Sequence, residues 1–328
     1  MEIISIDPKK KTGFDFAWNQ KVDLGGKVVL AFGGGGNLGE TFLYAAASNG
    51  ALPVVSDTLP GDPAARAAAS AKLAGILANL RSLNPAAPAD WYLADAACLP
   101  DVEAVFRAVK DRFGRIDVVV DFAGITHKPF DLYKDDPAWM VESFRRVNDV
   151  NLNGAFIITM CAARIMIPQR SGHIIHLCSS GSRCSLYGVY AYNATKHAVE
   201  GLIKTAAAQL APFNIRVNGI APGTVETDLN RSLLRNEDGT YKPRAMSILA
   251  HTPSKRFATR EGVAETLIAL CLEQRHLSGN VHFVDDGYVV EGHSWPEGNI
   301  AVYRGSYAVA EEYQRLEIEY PRERETGE

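Results

Sequence analysis

The chain lacks the cysteine patterns that build scaffolds or metal centres. It has no Cys-x-x-Cys pair and no Cys/His spacing of a zinc site. Its five cysteines (Cys98, Cys161, Cys178, Cys184, Cys271) are odd in number, and most lie in apolar periodic segments. These features predict reduced core thiols in a cytoplasmic protein and no metal centre. An excess of charge is also missing. The net charge is −4 and the only basic run is Lys9–Lys11, which argues against nucleic-acid binding as the main role. The first residues are charged where a signal peptide needs an apolar core. No segment reads as the ~20 apolar residues of a membrane span. No internal repeat is visible. What the chain does have is 328 residues that are 47% hydrophobic, enough for one large domain or two small ones around a sizeable core.

The stretch from Ser179 to Lys196 organises the rest. Tyr192 and Lys196 stand four apart in a segment that reads as the start of a helix over 191–210. Helical geometry puts both side chains on one face, one turn apart. A phenol is a poor acid–base group at neutral pH because it titrates near 10. An ammonium held ~4 Å away, at an effective dielectric near 20, is worth roughly 4 kcal/mol to the phenolate, enough to bring a tyrosine towards its working range. Ser179 follows the apolar run 173–178, a buried strand. It therefore stands at a carboxyl end, where α/β sheets bind ligands. Alone, a Tyr and a Lys four apart are more often a solvated pair. The serine and a glycine loop upstream reverse that judgement.

The glycine loop is Gly33-Gly-Gly-Gly36-Asn37-Leu38-Gly39, between a strand at 27–32 and a helix at 41–47. Strand, glycine loop and helix make a phosphate cradle, in which backbone N–H groups and a helix dipole face a pyrophosphate. The second strand, 52–56, ends in Asp57, 18 residues past Gly39. A carboxylate there binds the ribose hydroxyls of NAD and repels the 2′-phosphate of NADP. The next cation is Arg66, so NAD is favoured, with NADP possible; Asp57 also reads as a turn residue opening Asp-Thr-Leu-Pro-Gly. Helices over 64–83 and 102–113 alternate with strands over 90–94 and 116–120. Asp95 closes one strand, and Asp121-Phe122-Ala123-Gly124 closes the other. A long helical stretch over 135–168 contains Asn151, a poor mid-helix residue. Its amide either bonds inward to backbone or water near the site or lies on a helix face. Strands at 214–221 and 280–284 and a helix at 261–273 complete an alternating pattern. That pattern predicts a doubly wound parallel seven-stranded α/β sheet with helices on both faces.

These residues together resemble the short-chain dehydrogenase/reductase family over about 25–290. The resemblance rests on Gly33–Gly39, Asp95, Ala123-Gly124, Asn151, Ser179, Tyr192-x-x-x-Lys196 and Pro222-Gly-x-x-x-Thr227. It implies a single-domain Rossmann fold with a nicotinamide cofactor. It also implies roles. Tyr192 would exchange a proton with the substrate oxygen, and Lys196 would lower its pKa and hold the nicotinamide ribose. Ser179 would hydrogen-bond the reacting oxygen, and Asn151 would anchor a water. Gly33, Gly36, Asn37, Leu38, Gly39 and Asp57 would line the phosphates and adenosine end. Asp95, Ala123 and Gly124 would flank the adenine side; Pro222, Val225 and Thr227 would meet the nicotinamide amide. Five residues depart from the family pattern: Phe32 stands for Thr, and Asn37 for the middle glycine, leaving Gly36 to permit the tight turn. Asp121-Phe122 replaces Asn-Asn, which affects a sheet-bracing bond, and Asp286 replaces a glycine.

A narrower resemblance runs through Asn230-Arg-Ser-Leu-Leu, Gly239, Arg244, Ile248 and His251-Thr-Pro-x-x-Arg-Phe257. It is to the fructuronate reductases, or D-mannonate oxidoreductases. It implies a hexuronate, sugar acid or polyol, with a lid at 228–258 whose Arg231, Arg235, Arg244 and His251 meet a carboxylate. A solvated lid weighs about evenly. A 3-oxoacyl-thioester reductase and a non-catalytic cofactor-binding scaffold are the competing readings. The family also implies a homo-oligomer, tetramer or dimer. Residues 1–24 and 291–328 read as extensions whose aromatics cover a partner subunit or pack on their own.

Overall fold

The structure, a computed structural model, describes residues 22–85, 88–186, 188–272 and 276–290. The C-terminal extension and residues 1–21 of the N-terminal one lie outside the described residues. The chain alternates as expected. β1 (Val28–Phe32) leads to α1 (Asn37–Ser48), β2 (Leu52–Asp57) to α2 (Pro63–Leu83), and β3 (Asp90–Leu93) to α3 (Leu99–Phe113). β4 (Val118–Asp121) is followed by α4 (Pro137–Asn148), a π-helical turn (Asp149–Asn153) and α5 (Gly154–Gln169). Then come β5 (Gly172–Leu177), α6 (Tyr190–Leu210), β6 (Ile215–Pro222), α7 (Arg231–Leu234), α8 (Pro243–His251), α9 (Arg260–Cys271) and β7 (Val281–Val284).

Local chemistry accounts for the elements. Every residue of β1 and β4 is buried, as expected of parallel strands covered on both faces. α2 begins with Pro63 after Asp62, whose side chain accepts the N–H of Ala65; this is a cap that satisfies an orphan donor. α3 turns Val102, Val105, Phe106 and Val109 inward and ends at Gly114 in the left-handed region, φ 76°. All seven strands pair in parallel in the order β3-β2-β1-β4-β5-β6-β7. The order in which strands are added therefore reverses between β1 and β4, and the crevice at their carboxyl ends is where such sheets bind ligands.

Phe32, the residue that departs from the family's Thr, is fully buried and stacks on Phe106 of α3 at 5.5 Å. It belongs to the core and does not block the glycine loop. α4, the π turn and α5 run on as one helical stretch, Pro137–Gln169, long and apolar enough on length and composition to cross a membrane. This corrects the expectation that no segment reaches that length. Inside the fold its apolarity serves packing: Ala155, Ile158, Cys161, Ala162 and Met166 lie in the core with Ile174 and Val119.

The described residues fall into two compact units. The first, 22–222 with 259–284, holds the sheet. Val22 and Leu24 already belong to it: their N–H groups bond Asn49 Oδ1 (2.7 Å) and Asn49 O (2.9 Å). The second, 223–258 with 285–290, contains α7 and α8. It includes the whole segment expected to be a lid. In it Asp286, which stands where the family has a glycine, keeps a left-handed backbone, φ 52°, a conformation aspartate tolerates better than most residues.

Candidate active site

The glycine loop is shaped by crowding. Gly33 carries the left-handed backbone, φ 65°, and a Cβ there would stand 2.8 Å from Ala123 N. Gly36 is the N-cap of α1 with an ordinary extended backbone, φ −74°. The tight turn therefore belongs to Gly33 and not to Gly36. A Cβ on Gly39 would stand 2.6 Å from Gly34 Cα, so α1 seats directly on the loop. No side chain caps α1. Its first-turn N–H groups, contributed by residues including Asn37, Leu38 and Gly39, face outward with the positive end of the helix dipole. Asp57, at the end of β2, bends over this loop. Its Oδ2 accepts the Gly35 N–H at 2.8 Å and its Oδ1 the Thr58 N–H at 2.6 Å. Asp95, exposed beyond β3, accepts the Ala97 N–H at 2.9 Å through Oδ1. An uncapped helix start, a glycine cradle that a Cβ would fill and a carboxylate beside it fit a dinucleotide's pyrophosphate and adenosine ribose.

The second half of the site gathers at the ends of β4 and β5. Asn151, buried in the π turn, accepts the Ile125 N–H at 2.8 Å and donates to Ile125 O at 3.0 Å and Thr195 Oγ1 at 3.3 Å. Its amide bonds inward to backbone, one of the two alternatives left by the sequence. Thr195 in turn donates to Tyr192 O at 2.9 Å. A carbon placed on Gly124 would lie 3.5 Å from Asn151 Oδ1 and 3.6 Å from Lys196 Nζ, in ordinary van der Waals contact with both, so the loop passes directly beside the two side chains. Lys196 is 3% exposed. Its ammonium donates to Leu177 O at 2.6 Å and lies 5.5 Å from the Tyr192 ring centroid. Ser179 follows β5 in extended backbone and accepts the Gly181 N–H at 3.1 Å. Among the described residues its own proton meets no acceptor, nor does the Tyr192 hydroxyl. These are the groups that would donate to, or take a proton from, a substrate oxygen. Neighbouring Cys178 is inert, because burial pushes its thiol up to about 12.

Asp121 gives the departure from Asn-Asn a structural answer. It accepts the Ala123 N–H at 3.0 Å through Oδ1, and its Oδ2 faces His176 Nδ1 at 2.9 Å. His176 Nε2 lies 2.8 Å from Thr159 Oγ1. The brace persists, carried by a buried Asp–His–Thr chain in which the imidazole Nδ1 donates to the carboxylate. Only the Asp was visible as unusual in the sequence; the His partner, 55 positions away, gave no signal.

The remaining expected residues are spread differently. Pro222 ends β6 in the first unit. Val225 and Thr227 belong to the second, where Asn230 ties them, its Oδ1 accepting the Thr227 N–H at 2.9 Å and its Nδ2 donating to Val225 O at 2.8 Å. Arg235 is not a spare cation: its fork is filled by Glu226, Nε–Oε1 2.6 Å and Nη2–Oε2 2.8 Å. Its guanidinium also lies 4.2 Å from the Tyr241 ring centroid. Arg231 Nε is 4.0 Å from Glu226 Oε1, and exposed His251 holds Ser247 O through Nδ1 at 2.8 Å. Arg244 is half-buried and has no ion pair among the described residues. Among those residues no group of three or more His, Cys, Asp or Glu is placed to hold a metal.

A family model described as enoyl-(acyl carrier protein) reductase matches residues 65–289. The uncharacterized oxidoreductase YgcW of Escherichia coli (strain K12) is 30% identical over 290 residues, 88% of this chain and 100% of that protein. The chain belongs to the short-chain dehydrogenase/reductase family. It is an oxidoreductase acting on CH–OH groups. Another relative of this short-chain dehydrogenase/reductase is a 3-oxoacyl-[acyl-carrier-protein] reductase of Synechocystis, 30% identical over 80% of this chain and 97% of the relative. Among solved structures, a gluconate 5-dehydrogenase from Burkholderia cenocepacia in complex with NADP and tartrate shares 29% identity and a TM-score of 0.71. The match covers 82% of this chain and 97% of that one. A putative D-mannonate oxidoreductase from Haemophilus influenza, at 22% identity and TM-score 0.71 over 82% and 97% of the two chains, shows the fold alone.

The buried brace yields a stability prediction. Asp121→Ala leaves His176 and the Ala123 N–H without their acceptor and costs about 3–5 kcal/mol. Asp121→Asn keeps an acceptor for Ala123 and costs less. Urea unfolding midpoints at matched m-values measure both.

Proposed function

We propose that this short-chain dehydrogenase/reductase is NAD-dependent and interconverts a secondary alcohol and a ketone of a sugar acid or polyol, in the manner of the fructuronate/mannonate branch. The observation that carries the reading is the meeting of Gly124, Asn151 and Lys196 beside Tyr192. Tyr192 gives a proton to the substrate oxygen, or takes one from it. Lys196, anchored by Leu177 O, supplies the positive charge that stabilises the phenolate. Ser179 donates its hydroxyl proton to the same substrate oxygen. Asn151 fixes Ile125 and, through Thr195, the first turn of α6. Gly33, Gly36, Asn37, Leu38 and Gly39 would hold the pyrophosphate, Asp57 the adenosine ribose, and Asp95, Ala123 and Gly124 the adenine side. Pro222, Val225 and Thr227 would meet the carboxamide. When bound, the nicotinamide supplies or accepts the hydride.

Two observations support an acidic substrate: Arg244 lacks an ion pair among the described residues, and a 29%-identical structure is that of a gluconate 5-dehydrogenase in complex with NADP and tartrate. Arg231 and His251 are secondary candidates. The family model's description and the 3-oxoacyl relative favour the second reading, a thioester-ketone reductase. Five free cysteines support a cytoplasmic location. Val141, Phe144 and Phe156, large apolar side chains left exposed on α4 and α5, support a homo-oligomer.

Three measurements check these points. Assayed against D-gluconate, D-mannonate, D-fructuronate, xylitol and an acetoacetyl thioester with both cofactors, the protein turns over an acid or polyol. Tyr192→Phe abolishes turnover, by at least about 10³-fold, while NAD still binds; turnover of the thioester alone selects the second reading. Asp57→Ser removes the carboxylate that repels a 2′-phosphate and shifts the kcat/KM ratio towards NADP by about tenfold or more. Light scattering gives a dimer or tetramer mass for the wild type and a smaller one for Phe144→Glu/Phe156→Glu; a monomeric wild type defeats the assembly.

A further inference from the structure

The helix that carries Tyr192 and Lys196 starts without a local cap. Val189 at its N-cap position makes no side-chain cap bond. The first-turn N–H groups of such a helix have no acceptor within it. One of them is satisfied from far away in sequence: the Ala191 N–H donates to His127 Nε2 at 3.3 Å. His127 lies on the loop after β4, two residues past Ile125, which Asn151 holds by both backbone groups. The tautomer follows from the partners. Nε2 faces a donor and must offer its lone pair, while Nδ1 lies 2.8 Å from Lys128 O and must carry the proton. The ring is clamped as well. It stacks on Phe130 at 4.6 Å, and Phe130 stacks on Tyr190 at 5.2 Å, with the edge of Trp139 5.7 Å away. Phe130 N–H also donates to Gly188 O at 3.1 Å. The loop after β4 and the entry to α6 are thus joined by one imidazole, two rings stacked in line with it and a backbone bond.

We propose that His127 is a positioning residue for Tyr192: its neutral imidazole caps α6 in place of a local Ser, Thr or Asp and sets the depth of the helix's first turn. A continuous path results, Asn151 to Ile125, then His127 to Ala191, whose next residue is Tyr192. The same Asn151 also reaches the carbonyl of Tyr192 through Thr195. The tyrosine is held from both sides by groups on or beside the loop that follows β4. The effect on rate rests on the reading of Tyr192 as the acid–base group; the capping itself does not.

The test separates acceptor from ring. His127→Phe keeps an aromatic surface for Phe130 and loses the acceptor; His127→Gln places Oε1 near the position of Nε2 and loses the ring. Hydrogen exchange of peptides spanning Val189 to Lys196 is expected to be about tenfold faster in His127→Phe, the usual loss for a missing cap, and near wild type in His127→Gln. With whichever substrate the wild type turns over, kcat falls about tenfold in His127→Phe while the KM for NAD stays unchanged. His127→Gln recovers to within about threefold. Unchanged exchange in His127→Phe, or a Gln variant as fast in exchange as the Phe variant, overturns the proposal. So does a loss that appears in the KM for NAD and not in kcat. If the wild type turns over nothing, the catalytic reading fails, and the exchange data still decide the role of His127.

Discussion

An ammonium almost removed from water is the condition around which this site is built. Lys196 is 3% exposed, and burying a charge without partners is costly. It has three N–H donors, and among the described residues Leu177 O accepts one of them. The remaining donors leave it able to stabilise a nearby phenolate or to hold the hydroxyls of a ligand. The helix that bears Lys196 must therefore stay pinned to the carboxyl end of β5, and its neighbour Tyr192 is carried to the same place. A solvated Lys four residues from a Tyr would impose no such requirement.

That requirement propagates through the backbone. The loop after β4 passes close to Lys196 at Gly124. The same loop presses Ala123 against Gly33, where a Cβ would stand 2.8 Å from Ala123 N, so the glycine loop and the segment beside Lys196 share one close contact. Asp121 holds Ala123 from beneath and is itself held by His176. A carboxylate and a buried imidazole, 55 positions apart in sequence, thus brace the loop together.

The fold was legible in the sequence because it is written in period and punctuation. Buried parallel strands are apolar runs and their helices have apolar stripes, so every strand expected from 27–32 to 280–284 is found within a residue or two of its expected ends. The chemistry-bearing residues were legible where they sit close in sequence, as Tyr192 and Lys196 do, or at a strand's carboxyl end, as Ser179 and Asp57 do. What was not legible is contact between distant residues. Nothing in Thr-His-Lys at 126–128 says that a ring there will cap a helix beginning at 190. Nothing in Asn230-Arg-Ser-Leu-Leu says that Arg235 is already neutralised by Glu226. The tight turn was assigned to Gly36 when Gly33 makes it, because four consecutive glycines carry no local information about which one adopts positive φ. The helix over 137–169 proved long enough to span a bilayer because the π turn around Asn151 continues it instead of ending it.

The arginines of the second unit differ in what they leave free to bind. Recognition of a carboxylate by Arg is strong because the fork is bidentate, and a fork can be filled once. Arg235 spends its fork on Glu226 and its face on Tyr241, which makes it a strut of the segment between Glu226 and Tyr241. Arg244, half-buried and without an ion pair among the described residues, keeps its capacity, and a half-buried cation gains more from an anion than an exposed one does, since less solvent screens the pair. Of the arginines in the second unit, Arg244 is therefore the one whose charge is least committed to the fold.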